Sequence, residues 1–174
     1  MRVIKIADIP AGRNTGMGRQ MWESADATVR LGHSVDIFCG TEVMPDSAWK
    51  KPRHLHFGRA LVEFVEAKRR GGITYDVAEI HEACALDYAK ARRHDRSLPP
   101  LVIKSHGLEE VMWELHLETS RKAERSIPLK NRIATPLLRL SPIRRALAQS
   151  EQIIVSNSDD AVFLRERLKV GKER

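Results

Sequence analysis

Apolar residues along the chain follow two alternating periods. Short runs rich in β-branched residues have the character of strands: Val3, Ile4 and Ile6; Val35, Ile37 and Phe38; Tyr75, Val77 and Ile80; Leu101, Val102 and Ile103; Ile153, Ile154 and Val155. Between them, apolar residues recur three and four positions apart, as in Met17, Met21, Trp22, Ala25 and Val29, or Leu61, Val62, Phe64 and Val65. That spacing places them on one face of a helix. The pattern predicts strands at about 2–8, 34–39, 75–80, 101–105 and 152–156. Helices are expected from Gly18 to Leu31 with a stop at Gly32, from Arg59 to Arg70 with a stop at Gly71-Gly72, near 84–94, and at about 159–169. A polar loop with Pro45 and Pro52 separates the second strand from the second helix. Strands that alternate with helices predict an α/β fold: a doubly wound parallel sheet in a single domain spanning 1–174. Right-handed crossovers then give an expected strand order of 3-2-1-4-5.

The stretch 107–150 breaks this rhythm, being too long for one crossover. Thr135-Pro136 and Ser141-Pro142 both resemble an N-cap followed by a first-turn proline. The expectation is two or three short helices.

Composition narrows the class only modestly. A chain of 174 residues with 42% hydrophobic content can bury one core. No apolar run approaches the roughly 18–20 residues of a membrane span. Arg2 and Lys5 are not followed by the apolar core of a signal peptide, so the N-terminus reads as a first strand. Cys39 and Cys84 fall within apolar elements and are expected as buried free thiols, with a cytoplasmic location as the default.

Charge changes the picture more. Residues 119–149 hold Arg121, Lys122, Arg125, Lys130, Arg132, Arg139, Arg144 and Arg145 against one acid, Glu124. This segment accounts for the whole net charge of +7, and the remainder is neutral. Ile127, Leu129, Ile133, Leu137, Leu138, Leu140, Ile143 and Leu147 are interleaved with those cations. Apolar and cationic residues at helical spacing fit a face lying on an anionic membrane, with Arg132, Arg139, Arg144 and Arg145 as its contacts. A solvated helix pair packed on the sheet accounts for the same pattern. Nucleic acid is not expected as a partner, because the segment has no aromatic residue on which a base could stack.

Candidate chemistry gathers at the carboxyl ends of the strands, where open α/β sheets bind ligands. The first strand leads into Asp8 and the turn Gly12-Arg13-Asn14-Thr15-Gly16-Met17-Gly18. Free amides at the start of the next helix, here Gly16, Met17 and Gly18, suit an anion such as a phosphate or carboxylate. Residue 21 is Met, so the turn lacks the third glycine of the dinucleotide fingerprint, and no Gly-Lys-Ser/Thr makes it a P-loop. The third strand delivers His81 and Glu82, the fourth Ser105, His106 and Gly107, and the fifth Ser156, Asn157 and Ser158. Each also has a structural reading: a histidine bonded to a nearby carbonyl, or a serine–asparagine cap on the last helix. No His-Glu-x-x-His or Cys-x-x-Cys points to a metal, although Asp8, His81 and His106 could meet as a hydrolase-type metal site. There is no Gly-x-Ser-x-Gly nucleophile elbow.

Five landmarks in order carry a family resemblance: T-G-M-G-R at 15–19, R-L-G-H-S-V-D-I-F at 30–38, Y-D-V-A-E-I-H-E at 75–82, L-V-I-K-S-H-G-L-E at 101–109 and I-I-V-S-N-S-D at 153–159. Together they resemble the N-terminal, acceptor-side domain of retaining GT-B glycosyltransferases of the family 4 type, over nearly the whole chain. The resemblance implies a Rossmann-like domain, half of a GT-B fold. It also implies transfer of a sugar from a nucleotide-sugar co-substrate to a sugar or lipid acceptor, with no metal or other cofactor. By the same resemblance, His106 approaches the transferred sugar as the catalytic residue. Gly16, Met17 and Gly18 lie near the donor diphosphate or the acceptor, and Asp8, His81, Glu82 and Ser156 line the acceptor side. Such enzymes bind the nucleotide-sugar in a second domain, which this sequence does not include, so negligible transfer is expected without a second domain or chain carrying the donor site. Several such enzymes dock on membranes through basic, apolar helices, which would put 119–149 on the inner face of the membrane. The other reading is a non-enzymatic, membrane-associated binding module using the 119–149 surface.

Overall fold

The computed structural model describes residues 1–44 and 56–170. The Pro45–Pro52 loop and residues 171–174 lie outside the described residues. Five strands form one sheet: β1 (Arg2–Ala7), β2 (Ser34–Cys39), β3 (Val77–His81), β4 (Leu101–Lys104) and β5 (Gln152–Ile154). All neighbours are parallel, and the order is β2-β1-β3-β4-β5. The expected order of 3-2-1-4-5 is therefore corrected, because β3 lies beside β1 rather than outside β2. The reversal of winding falls between β1 and β3, and the doubly wound α/β class stands.

The register explains the core. Ile4 pairs with Ala78, Ile6 with Ile80, Ile80 with Ile103 and Ile103 with Ile153. These side chains share one face and are buried, apart from the partly covered Ile153. Against that face pack α3 (Phe57–Arg70) through Phe57, Leu61 and Val65, α4 (Leu86–His94) through Tyr88 and Ala89, and α7 (Ser141–Leu147) through Ile143, Ala146 and Leu147. Burying each of the larger aliphatic side chains and Phe57 contributes roughly 1.5–3 kcal/mol. The opposite face carries α1 (Gly16–Arg30), whose Met21 and Ala25 are buried there, Met21 in a smaller cluster with Ala7 and Cys39. Val29 is not on the buried side of α1 but 53% exposed. Next to that cluster the same face is polar. Lys5 pairs in register with Glu79, and its ammonium lies 2.6 Å from that carboxylate while only 3% exposed. Cys39 and Cys84 are buried free thiols.

The segment 107–150 forms α5 (Glu109–Lys122) and then a nearly unbroken helix: α6 (Leu129–Ala134), a π-helical stretch (Thr135–Leu140) and α7. Thr135 and Ser141 do not cap new helices. Both are helical, at φ −60° and ψ −52°, and φ −60° and ψ −45°. Pro136 and Pro142 each remove one i to i−4 hydrogen bond and crowd the carbonyl four residues back. The helix widens into π geometry between them instead of restarting. A short α2 (Gly40–Val43) follows β2, and α8 (Ser158–Glu166) follows β5. No helix among the described residues is long and apolar enough to cross a membrane.

Candidate functional site

The crevice lies where the winding reverses, outside the carboxyl ends of β1 and β3, with β4 alongside. The β1–α1 turn forms one wall. Gly12 has φ +118°, in the left-handed region that favours glycine. Thr15 caps α1, its Oγ1 accepting the Gly18 N–H at 3.0 Å. The amides left at the helix start are those of Gly16 and Met17. Gly18 is buried, and a Cβ there would lie 2.3 Å from the Gly12 carbonyl oxygen, whereas a Cβ on Gly16 would meet open space. The turn therefore requires glycine at Gly12, for its backbone conformation, and at Gly18, for space, but not at Gly16. Asp8 is half-buried at the entry to the turn.

Two imidazoles form the floor. His81 ends β3 and His106 follows β4. Their rings are stacked, with centroids 5.6 Å apart and planes 19° from parallel. Burial first, then the neighbouring His106 and the Arg139 guanidinium, together push His81 down to about 4. His106 is also lowered, by burial first and then by Lys104, with Glu79 opposing. Both rings are neutral at pH 7. Gln20 of α1 reaches over to His106, its Oε1 in hydrogen-bond contact with Nδ1. That contact joins the α1 wall to the end of β4.

Glu82 lies behind the floor. It is 1% exposed, and its Oε1 accepts the Glu109 N–H at 3.0 Å, so it caps α5, whose own N-cap residue Leu108 offers no side-chain bond. Oε2 is buried without a hydrogen-bond partner of normal geometry. On balance this carboxyl is raised to about 7, with burial the largest cause. The charges of Glu109 and Asp160 add to the rise, while the Glu109 N–H and the Ser105 hydroxyl hold it back. Ser105 Oγ also accepts the Gly107 N–H at 3.3 Å, and Gly107 takes φ +142°. The loop carrying His106 is thus fastened at both ends. Ser156 sits one strand further away, its hydroxyl donating to the Ser105 carbonyl at 3.2 Å, and Asn157 is the residue that caps α8.

The crevice thus gathers the turn and both histidines, with Glu82 buried beneath them and Ser156 at the margin. Asp8, His81 and His106 do not form a metal cluster. No group of three His, Cys, Asp or Glu among the described residues could hold a metal ion.

The four arginines expected on one membrane face divide into two pairs. Arg139 is bonded to Glu109 at 2.5 Å and Arg144 to Glu110, both at the first turn of α5. All four side chains are exposed, and the ion pairs are what set Arg139 and Arg144 apart. Two residues of the site escaped the sequence reading. A glutamine in an amphipathic helix looks like solvent-facing filler, so nothing marked Gln20. Arg139 is expected from the sequence only as a membrane contact, yet its charge acts on His81. Comparison of the chain with models of known protein families and with curated proteins returned no match.

Proposed function

We propose that this domain is the acceptor-binding half of a GT-B glycosyltransferase of the family 4 type. A donor-binding domain, in the same polypeptide or another, would present the nucleotide-sugar across the crevice. The observation that supports this most directly is the meeting of the β1–α1 turn with the His81–His106 pair at the reversal of winding. The amides of Gly16 and Met17 suit an anionic group of donor or acceptor. Neutral imidazoles suit hydrogen bonding to sugar hydroxyls. In this reading His106 approaches the transferred sugar, and the crevice alone performs no transfer because the groups that stabilise the leaving diphosphate lie in the other domain. Supplying the chain with a family 4 donor domain and measuring nucleotide release with sugar and lipid acceptors tests it. His106→Ala is expected to lower the transfer rate by about 10²-fold or more. No transfer with any donor domain, together with no binding of glycans or glycolipids to the chain, would sink the proposal.

A second reading is favoured by one specific observation. Leu129, Ile133, Leu137 and Leu138 are 71%, 53%, 63% and 69% exposed, on a helix that also carries Lys130 and Arg132. An apolar stripe beside cations suits a membrane-associated binding surface. Neutralising Arg132 or Arg145 is expected to weaken binding to phosphatidylserine vesicles roughly fivefold each. Neutralising Arg139 or Arg144 should weaken it less, since both are already paired. Equal binding to phosphatidylserine and phosphatidylcholine vesicles in a sedimentation assay would remove this reading.

A further inference from the structure

One polar edge of α1 reaches the sheet and the crevice through a half-buried Ser24 and an exposed Gln20. Gln20 and Ser24 lie one turn apart on it. The Lys5 ammonium donates to Ser24 Oγ at 3.2 Å while paired with Glu79. Gln20, one turn nearer the crevice, reaches Nδ1 of His106, 86 residues away in sequence. His106 is held independently from two other sides. The parallel ring of His81 fixes its plane. The main chain around it is latched by Ser105 Oγ on the Gly107 N–H and by Glu82 on the Glu109 N–H. What remains open is which ring nitrogen carries the proton, and that is set by the partner of Nδ1.

We propose that Gln20 is the positioning residue of His106: its Oε1 accepts the Nδ1–H, fixing the neutral Nδ1–H tautomer and leaving Nε2 as the lone-pair atom that meets a hydroxyl-bearing ligand. The opposite neutral tautomer would set the Nδ1 lone pair against Oε1 with no proton between them, so it requires the Gln20 amide to turn over and donate from its own Nε2 instead. A doubly protonated ring would add a third positive charge beside Lys104 and Lys5 in a half-buried site. With Nε2 bare, His106 accepts a hydrogen bond from its ligand and does not donate one, which selects hydroxyls over anions at that atom. The role deepens the glycosyltransferase reading and rests on it only for the kinetic test.

The decisive experiment is a long-range ¹H–¹⁵N correlation spectrum of the imidazoles in the ¹⁵N-labelled full chain, recorded at neutral to slightly alkaline pH. His106 is expected to show a protonated Nδ1 and a bare Nε2. Gln20→Leu, which removes the acceptor, should move the tautomer ratio toward Nε2–H by about fivefold or more. Gln20→Glu, which keeps an oxygen at the same place, should retain Nδ1–H. Backbone amide spectra report whether each variant is folded, and if Gln20→Leu is not, the wild type and Gln20→Glu decide. An Nε2–H form in the wild type overturns the proposal, as does loss of Nδ1–H in a folded Gln20→Glu or an unchanged ratio in a folded Gln20→Leu. In an enzyme assembled with a donor domain, Gln20→Leu should lower kcat with little change in donor KM, and unchanged kcat overturns the positioning role. An Nδ1–H tautomer in a chain that transfers no sugar with any donor domain would remove the glycosyltransferase reading and leave the role of Gln20 standing.

Discussion

Gly18 has no side chain because there is no room for one. The atom it would meet first is the Gly12 carbonyl oxygen, which is main chain and can move only by opening the turn. Gly18→Ala is therefore expected to destabilise the domain by about 1–3 kcal/mol. Gly16→Ala should leave stability unchanged or raise it by up to about 1 kcal/mol, since its Cβ meets open space in the first turn of a helix. Thermal unfolding of the two variants checks both, and an equal drop in Tm would mean that the turn does not close as described. Single residues differ in how far sequence reveals them. The Gly-x-Gly turn was legible because a strand running through glycines into a helix constrains the backbone locally. Glu82 was legible as a member of the rim but not as a buried cap on α5, because its burial depends on a helix that starts 27 residues later. Gln20 was not legible at all, since its partner His106 enters from the far side of the winding reversal.

At the scale of elements, the five strands fall close to their expected places, and β2 matches its expected range. Period and β-branching are local properties, so they survive folding. The failures are also physical. Pro after Ser or Thr signals a helix start when the preceding residue is extended, but Thr135 and Ser141 are helical because burial of Leu140, Ile143, Ala146 and Leu147 holds the helix on the sheet. Local proline chemistry then appears as a π-helical stretch rather than a break. The same helix is tied to α5 by Arg139–Glu109 and Arg144–Glu110. Glu110 is 8% exposed, so its carboxylate depends on Arg144. Arg144→Met is expected to cost about 1–2 kcal/mol, because it leaves a buried acceptor without its donor. Adding Glu110→Gln should recover part of that loss. A double-mutant cycle by urea denaturation measures the coupling, and strictly additive effects would show that the pair adds nothing to the tie between the helices.

At the scale of the molecule, the strand pattern was enough for the α/β class but not for the position of β3. That position is chosen by α3, whose Phe57, Leu61 and Val65 join the core on the face of Ile4 and Ile80, a long-range contact with no local signature. The protonation balance is likewise a property of the whole, because a half-buried histidine in the crevice floor and a buried carboxyl behind it are shifted in opposite senses. His81 is held down to about 4, so between there and 6.5 the unfolded chain binds the extra proton and stability rises with pH. Glu82 is held up to about 7, so between 4.5 and that value the folded chain binds the extra proton and stability falls as pH rises. The windows overlap from 4.5 to 6.5, and each group alone would change stability by about 3 kcal/mol at most. His106, also lowered, adds to the side of His81. Asp95 and Glu118 are lowered by their partners, and both act below this overlap. The wild-type protein is therefore expected to have a nearly flat stability profile between pH 4.5 and 6.5, with at most a shallow rise. Glu82→Gln keeps the neutral shape and removes one arm, so its stability should climb by about 2–3 kcal/mol over that interval. His81→Asn removes most of the other, so its stability should decline as pH is raised toward 7, by less than that amount because His106 still opposes Glu82. Urea unfolding at half-unit pH steps separates these slopes. If both variants were as flat as the wild type, the two groups would titrate as they do in the unfolded chain, and the crevice floor would be open to water.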